Sequence, residues 1–218
     1  MKQSFFKKIG MIAFLIVLLV IPLRMILDMI QERSYRNHQA YREIEAIWGA
    51  AQHIVGPVLT IPYYDGDGKT GYAYVLPDIL NIHADLMPEK RYRGIFEVIV
   101  YRSDISLKGT FPRPDFSRWG IEDYQVDWDG AALTLGLNGL RGVQEVTAFQ
   151  WNDSPVELRP GEGRDDGLSG LTGFIETAGE AEADRPDSFR ISLSVHGSRE
   201  MSFGPAAGTT GVTVNSSW

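Results

Sequence analysis

Ile9 to Leu23, IGMIAFLIVLLVIPL, runs for fifteen residues without a charge, and after Arg24 the apolar pattern resumes with Met25-Ile26-Leu27. Ile9 to Leu27 is therefore a nineteen-residue segment, close to the roughly 20 residues a helix needs to cross the hydrocarbon of a bilayer. Arg24 lies near one end, where its long side chain can reach the headgroups. Pro22 falls at a similar depth, where the hydrogen bond it forfeits is easily replaced. Lys2, Lys7 and Lys8 precede the run, and basic flanks stay in the cytoplasm. The expectation is a short cytoplasmic N-terminus (1–8), a transmembrane helix (9–27) partnered by the lipid bilayer, and everything later outside the cytoplasm. A cleaved signal peptide has the same basic and apolar parts. No small-x-small cleavage site follows this one, and RMILD (24–28) continues as helix.

Beyond the apolar run, Ile26, Met29 and Ile30, then Tyr41, Ile44, Ile47 and Trp48 recur at about helical spacing, with charged groups on the other faces. Residues 28–49 read as a juxtamembrane helix that Gly49 terminates. Its apolar stripe is expected to pack on the domain that follows, the alternative being a partner helix.

After residue 55 the period changes to short extended runs punctuated by turn residues. VGPVLTIPYY (55–64) has two prolines that suit an edge strand or an irregular entry. DGDG (65–68) is a strong turn signal, and TGYAYVL (70–76) returns from it to make a hairpin. Further runs are ILNIHADLM (79–87), RGIFEVIVYRSDISLKGTF (93–111), AALTLGLNG (131–139) and VQEVTAFQW (143–151). LTGFIE (171–176), FRISLSVHG (189–197), EMSFG (200–204) and GVTVNSSW (211–218) complete the set. Such spacing predicts an antiparallel β-sandwich-like domain over residues 50–218. Phe116 to Tyr124 suits a short helical turn. PGEGRDDGLSG (160–170) and ETAGEAEADRPD (176–187) read as surface loops.

Charge and composition exclude whole classes of function. The net charge is −7, and residues 34–218 carry 16 basic against 26 acidic side chains, a poor match for nucleic acid. With no cysteine, disulfides, thiolate catalysis and Cys-ligated zinc are absent. His38, His53, His83 and His196 are far apart, without the spacing of a metal site. Asp65 to Gly68 resembles the start of a calcium loop, but position twelve is Leu76 rather than glutamate. Gly167-Leu168-Ser169-Gly170-Leu171 misses a nucleophile elbow at its last position. No phosphate-binding glycine loop occurs. Asp165-Asp166 and Glu180/Glu182 are paired acids of the kind that hydrolyse glycosides when held a few ångströms apart. Acidic loop clusters are more often only solvated. No catalytic, cofactor-binding or metal residues are assigned, and no cofactor.

Four of these stretches, in order, resemble the CreD family of inner-membrane, cell-envelope-integrity proteins. They are IPLRMILDMIQERSYR (21–36) with VGPVLTIPY (55–63), then VLPDILNIHADLMPEKRYRGIFEVIVYRSDISLKGTF (75–111), LNGLRGVQEV (137–146) and SLSVHGSREMSFGPAAGTTGVTVNSSW (192–218). The second is the most specific. The resemblance implies one N-terminal helix, a periplasmic β-rich domain and further membrane helices after it, with a role in envelope integrity and no established catalytic residues. Relative to that pattern the periplasmic domain is expected to be incomplete at Trp218, leaving part of the apolar face of residues 189–203 uncovered. The implied function is a non-enzymatic inner-membrane protein that binds another envelope component. The alternative is a membrane-tethered periplasmic hydrolase or carbohydrate-binding module.

Overall fold

The computed structural model of the chain describes residues 2–66, 68–162, 169–175 and 186–217. The apolar segment and the juxtamembrane segment are one unbroken helix, α1 (Lys2–Trp48), of 47 residues, about 70 Å long at 1.5 Å per residue. From Met11 to Ile30 its large apolar side chains are exposed on every face, the pattern of a helix whose solvent is lipid rather than protein. Among the described residues, it is the last turns that touch the rest of the chain. Ala40 is buried and Tyr41, Ile44 and Trp48 are half-buried, positions i, i+1, i+4 and i+8 on one face. Ile47 is 87% exposed, so the expected stripe packs on the domain without burying it. Gly49 ends the helix at φ +114°, with its N–H on the Glu45 carbonyl at 3.0 Å. Only glycine takes that backbone without strain.

Among the described residues twelve strands follow: β1 (Gln52–Tyr64), β2 (Thr70–Val75), β3 (Ile79–Arg93), β4 (Phe96–Phe111), β5 (Ala132–Leu137), β6 (Val143–Trp151), β7 (Ser154–Pro155), β8 (Leu158–Glu162), β9 (Ser169–Phe174), β10 (Asp187–Ser198), β11 (Met201–Gly204) and β12 (Thr209–Ser216). They form two six-stranded sheets, ordered β11-β1-β5-β9-β8 with β2 also on β1, and β12-β3-β4-β10-β6-β7. Alternation places Leu80, Ile82 and Ala84 of β3, Ile105 and Leu107 of β4 and Ile191, Leu193 and Val195 of β10 in one core with Ile54, Leu59, Leu133 and Leu135 of the facing sheet. At one end Phe111 packs on Trp151 and Phe189, with ring centroids 5.5 and 5.3 Å apart. The Phe116–Trp119 turn of 3₁₀ helix falls where a helical turn is expected.

The sandwich corrects several expectations. It is not wholly antiparallel: β1 pairs with β11, and β12 with β3, in parallel. β1 is central rather than an edge, flanked by β5 and by β11 and β2 in turn. Its prolines are tolerated because β11 stops at Val55, β2 starts at Leu59, and the β5 register breaks between Val55 and Val58, so Pro57 falls in a gap on both sides. Pro62 lies beyond the stretch paired to β5, its carbonyl accepting from Asp127 at 2.9 Å. Its missing N–H thus faces away from any ladder.

The segment read as a loop over 160–170 is partly sheet: Leu158–Glu162 and Ser169–Phe174 pair as a hairpin, while residues 163–168 lie outside the described residues. So do residues 176–185 of the second acidic stretch. The apolar face of β10 is fully covered, with Phe189, Ile191, Leu193 and Val195 all buried. Met201 and Phe203 of β11 are half-buried, and β12 leaves its apolar side chains more open still. Val212 and Val214 share the core face with Ile82 and Ala84 in register, yet they are 47% and 50% exposed, because the facing sheet does not reach them.

Candidate functional site

The best-built polar cluster among the described residues is the joint where α1 meets the β-domain. Strands β3 and β4 continue as a long hairpin past the end of β12, which stops at Leu86 in the β3 register. The outer face of this extension presents Val98 and Val100, both fully buried, with Arg91 and Glu89 opposite them in register. Arg102 and its β10 partner His196 continue the same face. The last turns of α1 lie against that surface.

Trp48 is the centre of the contact. Its indole N–H donates to the Tyr101 carbonyl at 3.2 Å. Its ring stacks on His196 at 4.6 Å with an interplanar angle of 6°, and the Arg91 guanidinium lies 4.7 Å from its centroid. Two more arginines grip the helix further up. Arg93 donates to Glu43 at 2.6 Å, and Arg199 reaches Glu45 at 3.4 Å while covering the Tyr41 ring at 4.3 Å. The ion pairs are exposed and each contributes little. The stacking and the covered valines supply most of the attachment.

Beneath the helix end, Tyr101 lies over Gly197, where a Cβ would stand 2.3 Å from its hydroxyl oxygen. That hydroxyl donates to the Glu200 carbonyl at 2.6 Å and accepts the Gln52 N–H at 3.3 Å. Burial pushes its pKa up to about 12, the Gln52 N–H opposing and the Glu200 charge adding. His196 is pulled below the usual imidazole value, first by burial and then by the Arg102 charge. Arg102 donates to its Nε2 at 3.2 Å. Since arginine only donates, Nε2 is unprotonated and the ring is neutral with its proton on Nδ1.

The other histidines stand apart. His38 is exposed on α1, His53 meets Ser202 at 2.7 Å, and His83 meets Asp85 at 3.4 Å. Among the described residues no group of three or more His, Asp or Glu is placed to hold a metal. Asp65 forms a turn, accepting the Lys69 N–H on its side chain at 2.8 Å. Asp165-Asp166 and Glu180/Glu182 lie outside the described residues. Sequence reading placed Trp48 in the stripe that packs on the domain but did not single out Arg91, Tyr101, Arg102 or Arg199 as its partners.

Comparison with known proteins then decides the family. The family described as Inner membrane protein CreD matches over residues 4–218. The chain belongs to the CreD family. The Inner membrane protein CreD of Escherichia coli (strain K12) is 23% identical over 230 residues, covering 100% of this chain and 50% of that protein. The chain thus spans about half the length of the curated relative it matches. No solved structure matches it. Membership of an inner-membrane family accounts for the all-round apolar surface of α1, and the β-domain hangs on the end of that same helix.

Proposed function

We propose that the chain contributes to cell-envelope integrity without catalysing a reaction, holding its β-sandwich on the periplasmic side as a binding platform. The observation that carries this reading is mechanical. One helix without a break runs from the apolar span into a joint sealed by Trp48, Val98 and Val100. Pro22 lies well before the joint, and no proline or glycine interrupts Leu23 to Trp48, so the domain stands at a set height and orientation relative to its span. The flanking Lys2, Lys7 and Lys8 support an N-terminus in the cytoplasm.

Two measurements test this. Alkaline phosphatase joined after Gly130 should be active in intact cells, and intact mass should retain Ile9–Leu27. An inactive fusion beside an active cytoplasmic reporter overturns the orientation. In a strain lacking the protein, Trp48→Ala should fail to rescue envelope-stress sensitivity, whereas alanine at each Asp and Glu of residues 160–187 should rescue it. One all-or-none carboxylate there would replace the binding role with a tethered hydrolase.

A further inference from the structure

β6 closes one sheet incompletely. Its neighbour β7 pairs only with Gln150 and Trp151, and Val156 adds one hydrogen bond to the Phe149 carbonyl at 2.8 Å. From Val143 to Ala148 the outer edge of β6 meets no strand among the described residues. The facing sheet ends at β8, and the two edges do not join. Between them runs a groove of about 620 Å³, lined by Leu140, Val143, Val146, Phe149, Val156 and Leu171. The edge at β12 differs, because side chains on both of its faces are open to solvent.

We propose that this seam takes an extended polypeptide segment of a partner protein, which adds to β6 as a strand and sets alternate apolar side chains into the groove. The chemistry of the walls selects the occupant. One wall carries a row of backbone N–H and C=O groups that only another extended backbone can satisfy. The other is apolar and receives every second side chain of such a strand. An acyl chain would fill the apolar wall while desolvating the polar one. Six residues of free edge span about 20 Å. A second copy of the chain fits poorly. Two β-bulges, at Gln144 and Thr147, each set two residues of β6 against one of β10, and bulges twist an edge away from flat sheet-to-sheet pairing. A short segment can follow that twist.

This inference rests on the binding-platform reading, but its test reads binding alone, so each can fail without the other. The probe is a set of capped decapeptides alternating Val, Ile or Phe with Thr, Lys or Glu, titrated against the full chain in nanodiscs. At least one should bind in the micromolar range, and Val146→Asp should weaken it tenfold or more. Because that substitution also burdens folding, the deciding measurement uses the native chain. N-methylation of one alternate set of peptide nitrogens should cost tenfold or more, and methylation of the other set less than threefold. Binding indifferent to both patterns, with lauric acid binding at similar affinity, assigns the groove to an acyl chain and overturns the proposal. So does any other methylation pattern, or no binding by any peptide below 1 mM.

Discussion

Replacing Trp48 by alanine removes three interactions at once and should loosen the helix from the domain. The indole hydrogen bond to the Tyr101 carbonyl, at 3.2 Å, contributes about 1 kcal/mol net. The parallel stack on His196, at 4.6 Å, adds about 0.5–1.5 kcal/mol beyond burial. The Arg91 contact at 4.7 Å adds about 0.5–1 kcal/mol at an exposed site. Together the loss is about 2–3.5 kcal/mol. For a domain of this size each kcal/mol moves the midpoint by about 2–4 °C, so Trp48→Ala should melt about 4–14 °C lower. Trp48→Phe keeps a stacking ring but loses the donor, and should fall by only about 2–4 °C. The assay is circular dichroism at a strand wavelength on the full chain in detergent, since with five tryptophans intrinsic fluorescence would not isolate this one. A Trp48→Ala melt within 1 °C of the native chain would refute the joint as a structural unit. Equal losses for both variants would refute the share given to stacking.

Other perturbations probe the same region. Tyr101→Phe strands the Gln52 N–H and the Glu200 carbonyl, which should cost about 1–3 kcal/mol. With the Tyr101 hydroxyl pushed up to about 12, native and Tyr101→Phe chains should give the same phenolate absorbance at 295 nm up to about pH 11. His196 titrates below its unfolded value because burial and Arg102 oppose its charge. The unfolded chain therefore binds that proton more readily. Its contribution to stability is complete above about pH 6.5 and is lost as pH falls through the lower folded value. Melting midpoints of His196→Gln should vary less between pH 7 and 5 than those of the native chain. At Gly49 a Cβ would stand 2.8 Å from the His196 carbonyl oxygen, at φ +114°. Gly49→Ala should thus lower the midpoint and separate spin labels placed on α1 and β4.

Much of the fold was legible because its signals are local. Alternation in Leu80, Ile82, Ala84 and in Ile105, Leu107 placed β3 and β4, and the Asp65–Gly68 turn placed the β1–β2 hairpin. Where local signals misled, a tertiary partner had overruled them. Prolines spoke for an edge strand or an irregular entry; β1 is central, and the irregularity is the gap its neighbours leave around Pro57. Pro160 and Gly161 spoke for a loop, but β9 pairs with both positions. The tight hairpin after β6 was readable and missed: Asn152 and Asp153 sit at φ 47° and 62°, a two-residue turn those residue types favour. The joint was legible from one side only: the stripe of Tyr41, Ile44 and Trp48 spoke for packing on the domain, but nothing named the surface it meets. Its partners Trp48, Tyr101, His196 and Arg199 come from α1, β4, β10 and the turn after it. No pattern in a single stretch announces that they meet.

The joint and the seam are connected through one small contact. Gly142 directly precedes β6, and its Cα lies 3.3 Å from where a Cβ on Gly49 would stand. The groove lined by Leu140 and Val143 therefore opens beside the last residue of the anchor helix. Residues 28–49 are 22 steps of helix or helix stop beyond Leu27, so with α1 along the bilayer normal the opening stands about 33 Å above the end of the apolar span. A partner tethered to the same membrane must bridge that height before it can add to β6, which takes about ten extended residues at 3.3 Å each. A flexible stalk would let the groove sample all heights and relax this requirement. On the proposal that β6 takes a partner's segment, the rigid one would convert it into a selection on that partner's linker length, and stiffness in α1 would then be part of the recognition.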